Sequence, residues 1–172
     1  MLRRSPEAIV TAHAMDQARR ELFVEGPRDR LFLSWLASSG KDPNVSIIEI
    51  DFVELPELPG GNKGRLIYFA EQLGRGACDV RIQMFADADW DRLLERPVPA
   101  RVWITDHRDM EGYLLRVECL EKVLRLGLGN AAVSAEVVLT SIKEHARRLC
   151  LLRLTSEIHG LAFSASSAES VG

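Results

Sequence analysis

The chain has 172 residues, of which 47% are hydrophobic and 27% charged, and its formal net charge is −3 at neutral pH. That length suits one domain with a sizeable core, and the composition excludes disordered and collagen-like classes and a generic polyanion binder. Basic charge is carried by 18 Arg against 4 Lys, a bias that suits forked recognition of phosphate or carboxylate but also follows from genomic base composition.

The N-terminal stretch MLRRSPEAIVTAHAMDQARR lacks the apolar centre of a signal peptide, and no run approaches the ~18 apolar residues of a membrane span. A cytoplasmic protein without membrane attachment is expected. Ser5, Pro6 and Glu7 open a helix reaching about Arg20, with Ser5 as N-cap and Pro6 at its first position. Leu22 to Glu25 reads as the first strand, stopped by Gly26-Pro27. From Arg28, apolar residues at 31, 32, 35 and 36 predict an amphipathic helix ending at Gly40. Val45 to Val53 reads as the second strand, with Ile48, Ile50 and Phe52 on one face. Pro56 to Gly64 is a loop, and RLIYFAEQLGRG is a helix closed by Gly74 or Gly76. Val80 to Ala86 is the third strand, and Arg101 to Thr105, after the Pro97 to Pro99 breaker, is the fourth. A helix from Asp109 to about Leu126 and a longer one from Ser134 to His159 complete the order.

Strands separated by helices imply an α/β fold with a mainly parallel four-stranded sheet between helices, followed by a C-terminal helical hairpin. The expected organisation is an N-terminal helix over 1–20, an α/β core over 21–116, C-terminal helices over 117–163 and a frayed tail over 164–172.

The third strand ends in Phe85-Ala-Asp87-Ala-Asp89-Trp-Asp91. Carboxylates at i and i+2 leave an extended strand on the same side, and such oxygen pairs suit Mg²⁺ or Mn²⁺ shared with substrate phosphates. A strand cap opening a solvated turn is the plainer alternative. Glu25 closes the first strand and Asp106 the fourth, with Asp109 and Glu111 after it. In a parallel sheet these acids meet at one rim, where clustered carboxylates repel unless a cation is present or some point away.

A strand ending in FVEG with Asp29 three residues on, a later strand ending in DxD, the Gly60-Gly-Asn-Lys63-Gly64 loop and ITDHRDMEGYLL at 104–115 together resemble the Toprim domain. They are similar to the OLD-family nucleases and to the Toprim effector of the PARIS anti-phage system, and the likeness covers about residues 20–116. This resemblance implies a Rossmann-like core and a metal-dependent nuclease acting on DNA or tRNA, with Mg²⁺ or Mn²⁺ as cofactor and an ABC-type ATPase as partner. It implies Glu25 as the acid or base near the metal, Asp87 and Asp89 as metal ligands, and Glu111 as an additional acid. Asp91 lies beyond the DxD pattern. A catalytically silent Toprim module serving an ATPase complex is the alternative, and a homo-oligomer is left open.

Other constellations are weaker. An EF-hand counted from Asp87 meets Arg92 where Gly is needed and Val98 where Glu is needed. The Lys63 loop lacks a GK(S/T) ending, although its amides precede a helix and suit an anion; a plain connector explains it equally. His107 is a candidate proton carrier or extra ligand, and equally an exposed helix-start residue. His13, His145 and His159 show no partner in the sequence. Arg116, Arg125, Arg147, Arg148 and Arg153 stud the C-terminal helices and suit a phosphate backbone or a protein partner, and a solvated helix face explains them equally. Cys78, Cys119 and Cys150 show no paired spacing and read as reduced core cysteines.

Overall fold

A computed structural model describes residues 3–40, 44–74, 81–130 and 132–161. The chain forms two compact units, residues 1–110 and 111–172.

The first unit opens with helix α1 (Pro6–Met15), whose N-cap Ser5 accepts a hydrogen bond from the Ala8 amide. Strand β1 (Arg20–Val24) leads into helix α2 (Pro27–Ser39), strand β2 (Val45–Glu49), helix α3 (Gly61–Gly74), strand β3 (Ile82–Ala86) and strand β4 (Val102–Ile104). All neighbouring strands are parallel, in the order β2-β1-β3-β4. The expected α/β class with a parallel four-stranded sheet flanked by helices is therefore what the chain forms.

Alternation along the strands builds the core. Phe23, Ile48, Ile82, Met84 and Val102 turn to one side, where they meet Leu66, Phe69, Ala70 and Leu73 of α3 and Ile9 of α1. Phe23 and Phe69 make an edge-to-face pair at 5.1 Å between ring centroids. Each such fully buried side chain is worth about 1.5–3 kcal/mol relative to exposure.

The first helix ends at Met15 and not near Arg20, which already opens β1, and three further expectations need correction. The second strand stops at Glu49, not Val53: its partner β1 ends with the Val24–Glu49 pair, and the chain turns through a 3₁₀ segment at Ile50–Phe52. Ile50 and Val53 still enter the core, while Arg65 holds the turn through Asp51 Oδ1 at 2.5 Å and the Val53 carbonyl at 3.0 Å. Second, the apolar stripe expected to bury α2 points outward at Leu31, Trp35 and Leu36, because the helix lies over β2 on its half-buried Phe32, Leu33 and Ala37 side. Third, the Gly60–Gly64 stretch is not a connector. Gly60 and Gly61 adopt φ values of 87° and 59°, and α3 begins at Gly61.

In the second unit a 3₁₀ segment at Met110–Leu114, begun by the last residue of the first unit, precedes helix α4 (Val117–Lys122). A π-helical turn at Val123–Gly127 follows, so the single helix expected from Asp109 to Leu126 is broken where Arg116 is extended. Helix α5 (Ala135–His159) packs against α4 and ends at Gly160 in the left-handed region. Cys119 is half-buried and Cys150 exposed, so Cys150 is not a core residue; Cys78 lies outside the described residues, as do 75–80 and the expected tail. No helix among the described residues is long and apolar enough to cross a membrane.

Candidate functional site

The strand order places the site. From β1 the chain moves to β2 on one side, and β3 and β4 lie on the other, so the carboxyl ends of β1 and β3 flank the point where the winding reverses. Open α/β sheets have their ligand crevice at that point. Glu25 follows β1 and Asp87 follows β3, and the two are joined directly: the Asp87 amide donates to Glu25 Oε1 at 2.9 Å.

Burial acts on both carboxyls. It is the largest influence pushing Glu25 up to about 7; the Asp87 amide works against it, and the charges of Asp87 and Asp89 add to it. Burial likewise leads in raising Asp87 to about 6, reinforced by Asp29, Asp109 and Asp89 and opposed by the Met110 amide, which donates to Asp87 Oδ1 at 3.0 Å. Four of the expected acids, Glu25, Asp87, Asp89 and Asp29, are thus electrostatically one group, with Asp109 beside them. Asp29 has a second task at the start of α2, accepting from the Gly26 amide at 3.1 Å.

Helix α3 delivers two side chains into this rim. Asn62 Nδ2 donates to the Glu25 carbonyl at 2.7 Å. Lys63 Nζ donates to the Asp87 carbonyl at 2.6 Å and lies 3.1 Å from Asp89 Oδ2 and 2.7 Å from Asp91 Oδ2. The close start of α3 depends on Gly64, where a Cβ would lie 2.2 Å from the Pro59 carbonyl oxygen. Asp89 itself has a φ of 47°, a left-handed conformation that Asp tolerates better than most residues.

No family model and no curated protein matches this chain.

The remaining candidates divide. Asp91 is buried and paired with Lys63, with Arg96 Nη1 3.8 Å from its other oxygen. Asp106 is exposed and paired with Arg92 at 3.1 Å. His107 is exposed, and its carbonyl accepts from Thr105 Oγ1 at 2.6 Å. Glu111 belongs to the second unit. Arg125 pairs with Glu121 one helical turn away, and Arg116, Arg147, Arg148 and Arg153 are exposed.

Sequence reasoning missed Asn62 and Thr105. Thr105 is fully buried, and its hydroxyl accepts from the Ala88 amide at 2.8 Å, tying the turn after β3 to the end of β4. An Asn in an expected loop and a Thr at the end of a strand carry no signal until the strands are paired. A second buried network was also missed: Glu21 receives Arg4 at 2.9 Å, Arg19 at 2.6 Å and His13 Nε2 at 3.3 Å.

Among the described residues, no three His, Cys, Asp or Glu side chains are disposed as a ready metal cage. The chemistry of the donors nonetheless fits a hard divalent cation: they are all oxygen, and burial with mutual repulsion leaves Glu25 and Asp87 short of positive charge. The Lys63 ammonium is paired with Asp89, the second carboxylate of the DxD, and with Asp91 beyond it.

Proposed function

We propose that this chain is a Toprim-like, Mg²⁺- or Mn²⁺-dependent nuclease that hydrolyses phosphodiester bonds of DNA or tRNA. The observation that carries the reading is the Glu25–Asp87 pair at the reversal point of the sheet, two linked carboxyls whose proton affinities are raised together. Glu25, Asp87 and Asp89 would hold the metal. A divalent cation there supplies Lewis-acid polarisation of the scissile phosphate. Glu25, raised to about 7, is divided between its two protonation states near neutral pH and so is suited to taking or giving a proton. The Met110 amide fixes one oxygen of Asp87, and Asn62 fixes the backbone that presents Glu25.

An anti-phage role beside an ABC-type ATPase, in the cytoplasm, rests on the resemblance described above. The alternative, a silent Toprim module within an ATPase complex, is favoured by one observation: Lys63 already neutralises Asp89 and Asp91.

The test is turnover on single-stranded DNA, duplex DNA and tRNA with Mg²⁺ or Mn²⁺, with and without an ATPase encoded alongside. Glu25→Gln and Asp87→Asn are each expected to lower the rate by ~10²-fold or more, the size of a lost proton-transfer group or metal ligand. Cleavage that survives both substitutions overturns the mechanism, and a wild type inert under every condition selects the silent module.

A further inference from the structure

Lysine has three N–H donors and no acceptor, and the three oxygens around Lys63 Nζ match that number. They are the Asp87 carbonyl at 2.6 Å, Asp91 Oδ2 at 2.7 Å and Asp89 Oδ2 at 3.1 Å. The ammonium thus draws on the same two-residue pattern, Asp87 and Asp89, that the metal reading uses. Its side chain is only 13% exposed, so its ion pairs are largely sheltered from water.

The two carboxylates holding Lys63 are unlike. The Asp91 side chain is 10% exposed, gives the shorter contact and has Arg96 behind it. The Asp89 side chain is 46% exposed, gives the longer contact and rises from a backbone with φ of 47°. The Asp91 pair is the more sheltered of the two and the Asp89 pair the more open to solvent.

A Mg²⁺ ion draws its oxygens to about 2.0–2.1 Å, well inside the distances at which Lys63 is held. A second cation on Asp89 while the ammonium stays there would also meet like-charge repulsion, twice as strong for a divalent ion as for a monovalent one at the same distance. We propose that Lys63 is a tethered counter-cation, anchored by Asp91, which a divalent metal must displace from Asp89. Asp91 is then the residue that keeps the displaced ammonium beside the rim. This inference rests on the metal reading of the site.

The experiment measures Mn²⁺ binding by calorimetry at fixed pH and ionic strength, with wild type, Lys63→Met, Lys63→Gln and Lys63→Arg, each checked for its fold by circular dichroism. Lys63→Met and Lys63→Gln are expected to bind Mn²⁺ about tenfold more tightly, and Lys63→Arg within about twofold of wild type. Lys63→Gln keeps a donor for the buried oxygens and carries the comparison if Lys63→Met does not fold. Displacement itself is read from the Lys63 ammonium resonance in ¹⁵N-labelled wild type, which should shift during a Mg²⁺ titration with the midpoint of a Mg²⁺ calorimetric isotherm recorded on the same protein. Wild-type binding with an unmoved ammonium resonance, or with no tightening in the uncharged variants, overturns the role of Lys63 and leaves the metal site standing. Failure of every protein to bind Mn²⁺ overturns both.

Discussion

Glu21 and Glu25 lie four positions apart, and their surroundings send them in opposite directions. For Glu21 burial by itself raises the carboxyl, but the hydrogen bonds and charges of Arg4 and Arg19 outweigh it and hold the group below its usual value. A lowered carboxyl adds stability above its unfolded pKa and loses it as the pH falls through the folded one. Glu21→Gln is therefore expected to cost about 1–3 kcal/mol near neutral pH, the penalty of leaving charged partners without their acceptor. The gap between variant and wild type in urea unfolding should narrow with acid once the pH is below the carboxyl's ordinary 4.5; a gap that does not narrow as acid is added contradicts the charged network. Glu25 is the reverse case. Its carboxyl rises from 4.5 to about 7, so its favourable share is complete below 4.5 and is lost as the pH rises through 7. Glu25→Gln keeps an acceptor for the Asp87 amide and removes the buried charge. In metal-free protein at pH 8 it should melt higher than wild type by roughly 2–4 °C, corresponding to about 1 kcal/mol in a chain of this size. The advantage should vanish by about pH 4, and a lower melting temperature at pH 8 contradicts the repulsion described here.

Among the elements, α3 matters most to the site, because its first turn carries Asn62 and Lys63 to the ends of β1 and β3. That turn closes against Pro59 only because Gly64 has no side chain: an added Cβ would sit 2.2 Å from a backbone oxygen, which no side-chain rotation can relieve. Gly64→Ala should destabilise the protein by about 1–3 kcal/mol, the usual cost of an overpacked position. Denaturant midpoints measure this, and an unchanged midpoint removes the claim that the turn is tightly closed. Gly26, by comparison, has open space where a Cβ would be, so Gly26→Ala is expected to be mild.

At the scale of the molecule the two units differ in how much they bury. The sheet unit holds a continuous core around Phe23, Leu66, Phe69 and Met84. In the second unit, α5 buries Ala135, Leu139 and Ser156, and between Lys143 and Arg153 every side chain is exposed. A helical stretch without packing is marginal in water, and local opening is cheapest where few apolar contacts oppose it. Hydrogen exchange should find the amides of β1 and β3 slowest and those of residues 143–153 faster by at least ~10²-fold, since roughly 1.4 kcal/mol separates each tenfold step. Equal protection in the two regions would mean that α5 is covered in solution.

The alternation in LFV and RIQMF, the Ser5-Pro6 helix start and the Gly40 helix end, and the change from strand to helix periods are local, so the element order and the parallel α/β class were legible in the amino-acid sequence. The acids at strand ends were legible for the same reason, since a strand's end fixes where the next residues emerge. Which strand lies beside which is a non-local matter, settled by how α2 and α3 cover β2 and the central strands, and it alone brought Glu25 against Asp87 while pairing Asp106 with Arg92. The same packing made Gly60–Gly64 the start of a helix, converted Ile50–Phe52 from strand to turn, and set an ammonium between Asp89 and Asp91. Charge in a sequence is only a sign on a residue; its partner, its burial and hence its proton affinity exist once distant segments have met, and that is why the role of Lys63 belongs to the tertiary structure.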